Sequence, residues 1–372
     1  MSKKKVVVQL PAVAKEVPME ERYALELESL KDIAELVEVD SSSPATFIEG
    51  AKDADAIITS WGIRIDQQVI VGLEKCAVVG VGSVGVDMVD VDAATEAGIV
   101  VTNTPDIFIE EVADHTLMLL LACARRVKLM DKMVSRGDWY KGRPVLNEIP
   151  RLWGQTLGLV SFGNVATAVA RRAKPFGIHI IAYDPFVTEL KMTAEGVEPV
   201  TLEELLERSD YLSIHPGLNE SSRGMLSDDQ FAAMKHTVSV INCGRGGTID
   251  EAALIDALRS DRLGGAYLDV FAVEPLPAES PLWELPNVIL SPHNSWAAKG
   301  NDQWSFQNVM QYLRMVESDT DFGGGDFHNS EGPIIVHRFK PETLLSEQSA
   351  FYNACRTAGI PDCPDHNAPG VF

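Results

Sequence analysis

Thr156-Leu-Gly-Leu-Val-Ser-Phe-Gly163-Asn-Val-Ala166 reads as a strand that turns tightly into a helix, and His179-Ile-Ile-Ala-Tyr-Asp184 as the next strand. Asp184 follows Gly163 by 21 residues. A dinucleotide fingerprint asks for G-x-G-x-x-G after a strand and an acid about 20 residues further on. Its glycines let backbone approach a pyrophosphate at a helix N-terminus, and the acid binds the ribose 2′-hydroxyl. Ser161, Gly163 and Ala166 hold the three glycine positions here, so the copy is imperfect. Ala at the third is an accepted variant, and Ser161 at the first predicts a strained turn. Gly163, Asn164 and Val165 form the expected pyrophosphate end. Asp184 selects NAD over NADP, because its charge would repel a 2′-phosphate.

Around this unit, residues 154–293 contain six strand-like runs, starting near Thr156, His179, Asp210, Thr237, Ala266 and Asn287. The last three run out to Arg245, Glu274 and His293. Ligands of open parallel sheets bind at the carboxyl ends of the strands, so a guanidinium, a carboxylate and an imidazole are expected in one crevice. Asp269 lies near the same end and could orient a nicotinamide carboxamide. His215 would line the nucleotide edge without chemistry, and Cys243 reads as small buried filler beside Arg245. His115 and His236 read as structural. Upstream, residues 1–104 alternate strands and helices, with strands at Val6–Leu10, Ala56–Ser60, Ala77–Val81 and Ile99–Asn103 and a helix from Glu20 to Leu36. Residues 110 to about 136 read as one long helix. From about Asp319 a glycine-rich, aperiodic tail begins. The fold class is therefore α/β, with two doubly wound parallel sheets and an irregular C-terminal tail.

The composition narrows the partners. A chain of 372 residues is long enough for two domains, and 45% hydrophobic residues can fill both cores. A net charge of −22 disfavours nucleic acid and anionic membrane as partners. Five cysteines without C-x-x-C spacing suggest a reducing, cytoplasmic setting and no zinc site. The apolar run Leu117–Ala124 is too short to span a bilayer. No metal site is expected.

A nicotinamide moves hydride but no proton, so a carbonyl or alcohol needs an acid or base at its oxygen. His293 suits both directions. Glu274 on the other ring nitrogen would fix the tautomer and stabilise the imidazolium. Arg245 would clamp a substrate carboxylate. Gly80-Val-Gly-Ser-Val-Gly-Val-Asp87 follows a strand in the first half and could offer backbone N–H groups to a carboxylate.

Residues 6–318 resemble the D-isomer-specific 2-hydroxyacid dehydrogenases. The resemblance is carried by Val84-Gly-Val-Asp87, Gly98–Pro105, Val112-Ala-Asp114, Gln155–Val160, Tyr183-Asp-Pro185, Asn242–Asp250, Leu268–Phe271, Glu274-Pro275 and Ser291-Pro-His293. It implies a flavodoxin-like substrate domain over residues 1–104, completed by part of 294–318, and an NAD-binding Rossmann domain over 105–293. It further implies catalytic roles for Arg245, Glu274 and His293, and substrate-carboxylate binding by the Val84 and Gly85 backbone. Cofactor contacts are implied at Asp184, Pro185, His215, Cys243, Gly244 and Asp269, and a homodimer through the nucleotide domains. The substrate implied is a small 2-oxo or 2-hydroxy acid. Within the family, Glu110–Asp114 and Trp296 resemble the C-terminal binding protein group, in which the tryptophan lines the substrate pocket. Val81 replaces an arginine of that group, and Gly217 a usual proline. From about Phe322, through Gly332-Pro-Ile-Ile-Val336, Phe351–Ala358 with Gly359-Ile-Pro361, and Asp365-His-Asn367, the tail resembles a fragment of the glucose–methanol–choline flavin oxidoreductases, without their flavin fingerprint or catalytic histidine, so no flavin site is expected. Two other readings stay open: an NADH-responsive interaction protein without catalysis, and an inactive fusion or truncation product.

Overall fold

A computed structural model describes residues 3–10, 18–59, 62–141, 144, 147, 149–297, 317–319 and 334–336. The chain divides into two units, residues 1–297 and 298–372.

The first unit contains two parallel sheets. The amino-terminal sheet has five strands: β1 (Lys4–Leu10), β2 (Ala34–Asp40), β3 (Ala56–Thr59), β4 (Val78–Val81) and β5 (Val100–Thr102), in the order β2-β1-β3-β4-β5. All pairings are parallel. That order is the flavodoxin-like arrangement, whose ligand crevice opens beyond the carboxyl ends of β1 and β3. Its core gathers Val7, Phe47, Ile57, Ile65, Val69, Val79 and Val81 from strands and covering helices.

The expected helix from Glu20 to Leu36 is replaced by helices Met19–Arg22 and Ala24–Leu30 and then by β2. Ala34-Glu-Leu-Val-Glu-Val-Asp40 has a two-residue hydrophobic alternation over its central part, which suits an edge strand better than a helix. Lys4 to Leu10 of β1 pair with Ala34 to Asp40 along its whole length.

The second sheet comprises β6 (Thr156–Val160), β7 (His179–Tyr183), β8 (Glu198–Pro199), β9 (Tyr211–Ile214), β10 (Ser239–Asn242), β11 (Gly265–Leu268) and β12 (Val288–Leu290). Their order is β12-β11-β10-β9-β6-β7-β8, and every pair is parallel. The chain reverses its direction of winding between β6 and β9, which is the switch point where dinucleotides bind in such sheets. The sheet has seven strands where six runs were expected. The missed one, β8, is two residues long and ends in a proline that cannot donate to the ladder, so it carries no apolar run to read.

One face of this sheet packs against the helices Ile109–Ala124 and Asn164–Ala173 through Ala113, Leu117, Leu120, Ala166, Val169 and Ala170. Leu205, Phe231, Leu254 and Leu258 cover the other face. The single helix expected over 110–136 is two, Ile109–Ala124 and Val127–Ser135. Arg126 between them takes the left-handed conformation, φ +50°, which ends the first helix.

In the second unit, Glu317–Asp319 pairs in parallel with Ile334–Val336, so the tail expected to be irregular contains at least this strand pair. The stretch of 294–318 expected to complete the first sheet lies outside the described residues beyond Ala297, apart from Glu317 and Ser318 in that pair. The flavin-oxidoreductase likeness, from about Phe322 on, also lies outside them, except at Ile334–Val336.

Candidate active site

The second sheet aligns its functional residues by register. Val160 pairs with Tyr183 and with Ile214, Ile214 with Asn242, Asn242 with Leu268, and Leu268 with Leu290. The next residue on each strand is therefore one row across the sheet end: Asp184, Ser161, His215, Cys243, Asp269 and Ser291. Arg245 and His293 lie three residues beyond their strands and Glu274 six, on three neighbouring strands.

At the β6 end, Ser161 has φ +71°, the strained turn expected of the first fingerprint position. Gly163 caps the helix Asn164–Ala173, and a side-chain carbon built on it would meet open space. That free approach to a helix N-terminus fits a pyrophosphate. Asp184 ties the turn together: it accepts from Ser161 Oγ and Phe162 N–H, both at 2.8 Å, and from Phe186 N–H at 2.8 Å. Burial works to raise its pKa, but these donors outweigh it and hold the carboxyl below its ordinary value. Pro185 follows on the exposed rim. Asn164 Nδ2 donates to Asp106 at 2.9 Å, linking the turn to the segment that joins the two sheets.

His215 Nε2 is 2.9 Å from Ser213 Oγ, and desolvation pushes its imidazole down to about 4. It is neutral at physiological pH and suited to lining a site. Cys243, expected among the cofactor contacts, points its side chain into the core beneath the sheet, where burial pushes the thiol up to about 12. Only its backbone and that of Gly244 face the sheet end. The Gly244 N–H donates to Asn242 Oδ1 at 3.0 Å.

Asp269 stands next in the same row of strand ends. Its side chain is fully buried and its oxygens are occupied by the loop that carries His293. Oδ1 accepts from Ser291 Oγ at 2.6 Å and Asn294 N–H at 3.1 Å, and Oδ2 from Ser295 N–H at 2.9 Å. The Asp269 carbonyl accepts the His293 N–H at 2.8 Å. In this geometry Asp269 anchors the histidine loop. His115, expected to be structural, joins the same cluster with Nε2 3.0 Å from Ser291 Oγ and 3.6 Å from Asp269 Oδ1.

His293 and Glu274 meet as expected. Nδ1 of His293 is 2.6 Å from Glu274 Oε2, and Glu274 Oε1 accepts the Phe271 N–H at 2.9 Å. Both side chains are about one-third exposed at most, at 28% and 33%. His293 sits at φ +51°, held there by the Asp269 carbonyl and by the Asp269 carboxylate's grip on the next two residues. Trp296 donates Nε1–H to the His293 carbonyl at 2.9 Å and stands edge-on to Phe108, 5.9 Å between centroids.

Arg245 reaches from the second sheet to the first. Its Nε donates to Asp87 Oδ1 at 2.9 Å and Nη1 to the Gly244 carbonyl at 3.0 Å. Gly85 lies against it so closely that a Cβ there would collide with Arg245 Nη2 and Asp87 Oδ1. The loop is braced by Ser83 Oγ donating to the Gly85 carbonyl at 2.8 Å and Asn103 Nδ2 donating to the Val84 carbonyl at 2.7 Å. Among the described residues the Val84 and Gly85 N–H groups have no acceptor. Two backbone N–H groups without an acceptor thus lie in a loop packed against a guanidinium, a donor set that suits a carboxylate. No group of side chains among the described residues could hold a metal ion. No helix among them is long and apolar enough to cross a membrane.

Residues 117–295 match the model of the D-isomer specific 2-hydroxyacid dehydrogenase family, NAD binding domain. The chain is 41% identical over 257 residues to a glyoxylate reductase of Korarchaeum cryptofilum, covering 69% of this chain and 77% of that protein. It is 39% identical over 293 residues to a D-3-phosphoglycerate dehydrogenase of Methanocaldococcus jannaschii, covering 78% of this chain and 55% of the relative. Among solved structures, a D-lactate dehydrogenase from Aquifex aeolicus complexed with NAD and lactic acid superposes with a TM-score of 0.71 at 25% identity, covering 83% of this chain and 94% of that one. The TT0316 protein from Thermus thermophilus gives 0.67 at 34% identity, covering 83% and 96%. The chain belongs to the D-isomer specific 2-hydroxyacid dehydrogenase family, and its second sheet is that family's NAD-binding domain. It spans about half the length of the D-3-phosphoglycerate dehydrogenase it matches.

Proposed function

We propose that this chain is an NAD-dependent oxidoreductase that interconverts a small 2-oxo acid and the D-2-hydroxy acid. The observation that carries the reading is the 2.6 Å pairing of His293 with Glu274 at the sheet end that also presents Arg245. Residues 1–104 serve as the substrate domain and 105–293 as the nucleotide domain. The N-terminal turn Gly163-Asn164-Val165 takes the pyrophosphate, Asp184 and Pro185 the adenosine ribose, and His215 and the Gly244 backbone line the nucleotide edge. Asp184 already accepts three protein hydrogen bonds, so a ribose hydroxyl would share its remaining acceptor capacity. When bound, the nicotinamide supplies or receives the hydride.

The protein's own part is binding and proton transfer. Arg245 and the Val84 and Gly85 N–H groups hold the substrate carboxylate. Glu274 accepts the Nδ1–H of His293, and Nε2 handles the substrate's proton. In reduction the protonated ring gives that proton to the carbonyl oxygen; in oxidation the neutral ring takes it from the hydroxyl. Glu274 stabilises the imidazolium in both directions. Trp296, 40% exposed next to His293, borders the place of the substrate side chain, as the C-terminal binding protein likeness implies. The exposed Met118, Val134, Trp139 and Tyr140 on and after the two helices 109–135 supply an apolar face for a homodimer. We place the protein in the cytoplasm.

A panel of 2-oxo acids with NADH tests the reading: glyoxylate, hydroxypyruvate, pyruvate and bulkier acids, monitored at the NADH absorbance. Oxidation with at least one acid is expected. Tight NADH binding with no oxidation by any acid would favour the NADH-responsive interaction protein, and no NADH-dependent rise in Tm would mean that no site is formed.

A further inference from the structure

Asp87 is the one acidic side chain hydrogen-bonded to the Arg245 guanidinium among the described residues, and it comes from the other sheet, after β4. A guanidinium offers five N–H donors along its edges. Asp87 takes the Nε donor at 2.9 Å, and the Gly244 carbonyl takes one on Nη1 at 3.0 Å. The chain carrying Arg245 is fixed as well: its carbonyl accepts from Asn242 Nδ2 at 3.0 Å and Thr248 Oγ1 at 2.7 Å. With root and Nε both held, the guanidinium plane has one orientation, which lays Nη2 against Gly85. Val84 and Gly85 in that loop carry N–H groups with no acceptor among the described residues.

We propose that Asp87 is a positioning residue for substrate binding. It holds Arg245 so that Nη2 and the Val84–Gly85 backbone converge on one anion, the carboxylate of the 2-oxo acid. The inference deepens the dehydrogenase reading and rests on it. Asp87 does not touch the substrate. It keeps the guanidinium from swinging out on its flexible stem, and it occupies the Nε edge, so that an incoming carboxylate takes the Nη side. Because the pair joins the ends of β4 and β10, it also couples the carboxylate site of the first sheet to the chemistry of the second. Gly85 fits the same account: a side chain there would push the pair apart.

The test uses the full chain and oxamate, an unreactive 2-oxo acid mimic, titrated into the protein–NADH complex and read by quenching of NADH fluorescence. Steady-state kinetics with the best acid of the panel run alongside. Asp87→Asn, Asp87→Ala, Arg245→Lys and the two double variants are compared with the wild type. Asp87→Ala is expected to weaken oxamate binding and raise KM about tenfold or more, with kcat and NADH Kd changing less than about threefold. Asp87→Asn, which can still accept from Nε, is expected to lie between Asp87→Ala and wild type. In the Arg245→Lys background, Asp87→Ala should add less than about twofold, because the group it positions is gone. A purely structural role would lower Tm and amplitude alike in both backgrounds without moving KM. If Asp87→Ala fails to fold, the Asp87→Asn arm of the cycle decides alone. Unchanged oxamate affinity in folded Asp87 variants, or equal losses in both Arg245 backgrounds, overturns the inference. A wild-type protein that binds NADH but neither oxamate nor any 2-oxo acid overturns the dehydrogenase reading and the inference with it.

Discussion

The two halves of one sheet edge differ in what they do with the same kind of position. At the ends of β6, β7 and β9 stand Ser161, Asp184 and His215: Asp184 accepts from Ser161 Oγ and the Phe162 N–H, and His215 pairs with the neutral Ser213 hydroxyl. At the ends of β10, β11 and β12 stand Arg245, Glu274 and His293: Arg245 pairs with the Asp87 carboxylate and His293 with the Glu274 carboxylate, and these side chains stay partly open to solvent. His215 and His293 show the contrast most directly. Burial without an acidic partner holds the first neutral, while the second has a carboxylate on Nδ1. One rim holds a shape; the other sets an imidazole against a carboxylate, the arrangement that the proposed proton transfer needs. The lesson is that an imidazole at a strand end becomes an acid or base through its partner, and its position alone does not make it one.

The contrast can be broken by removing that partner. Glu274→Gln removes the carboxylate that sits against Nδ1 of His293. We expect kcat to fall about a hundredfold or more, with NADH Kd within about twofold, measured by steady-state kinetics and fluorescence titration. A fall of less than about threefold would erase the distinction between the two rims.

On the other rim, Asp184→Ala should act on cofactor choice and leave the chemistry in place. The ratio of kcat/KM for NADH over NADPH should drop about tenfold or more, with kcat at saturating NADH changed only a few fold. An unchanged ratio would show that this carboxylate only braces the Ser161 turn.

The smallest effect belongs to His215→Asn. The variant should keep kcat within about threefold, and its signature is in stability against pH. The folded pKa, about 4, lies below the unfolded value, so the unfolded chain binds more protons between them. His215 therefore contributes stability fully above about pH 6.5, and that contribution is lost as pH falls toward about 4. Allowing for the ring's partial exposure, about 1–3 kcal/mol is at stake. Denaturant unfolding at pH 7 and pH 4.5 should show a smaller loss for His215→Asn than for the wild type. Equal losses would mean that His215 titrates normally in the folded protein.

The sequence made the second sheet legible because its strands are continuous apolar runs bounded by turns, and because Gly163 and Asp184 carry a spacing signal. It hid β8, two residues long, and β2, whose short alternation was absorbed into a preceding helical pattern. The break at Arg126 has no glycine or proline to mark it. Arg245, Glu274 and His293 could be found because each follows an apolar run. Asp87 and His115 could not be assigned roles, because their partners lie 158 and 176 residues away. Asp269 is legible as a strand-end carboxylate, but that position does not show which donors its acceptors take up. The donors that occupy it, Ser291 Oγ and the Asn294 and Ser295 N–H groups, become visible only once the loop is folded.

His293→Ala tests the central claim most directly, in a stopped-flow experiment with NADH bound beforehand and the preferred 2-oxo acid mixed in. The account predicts NADH affinity within about twofold of wild type and a rate of NADH oxidation lower by about 10²–10⁴. Oxidation at the wild-type rate, or a loss of NADH affinity as large as the loss of rate, would contradict it.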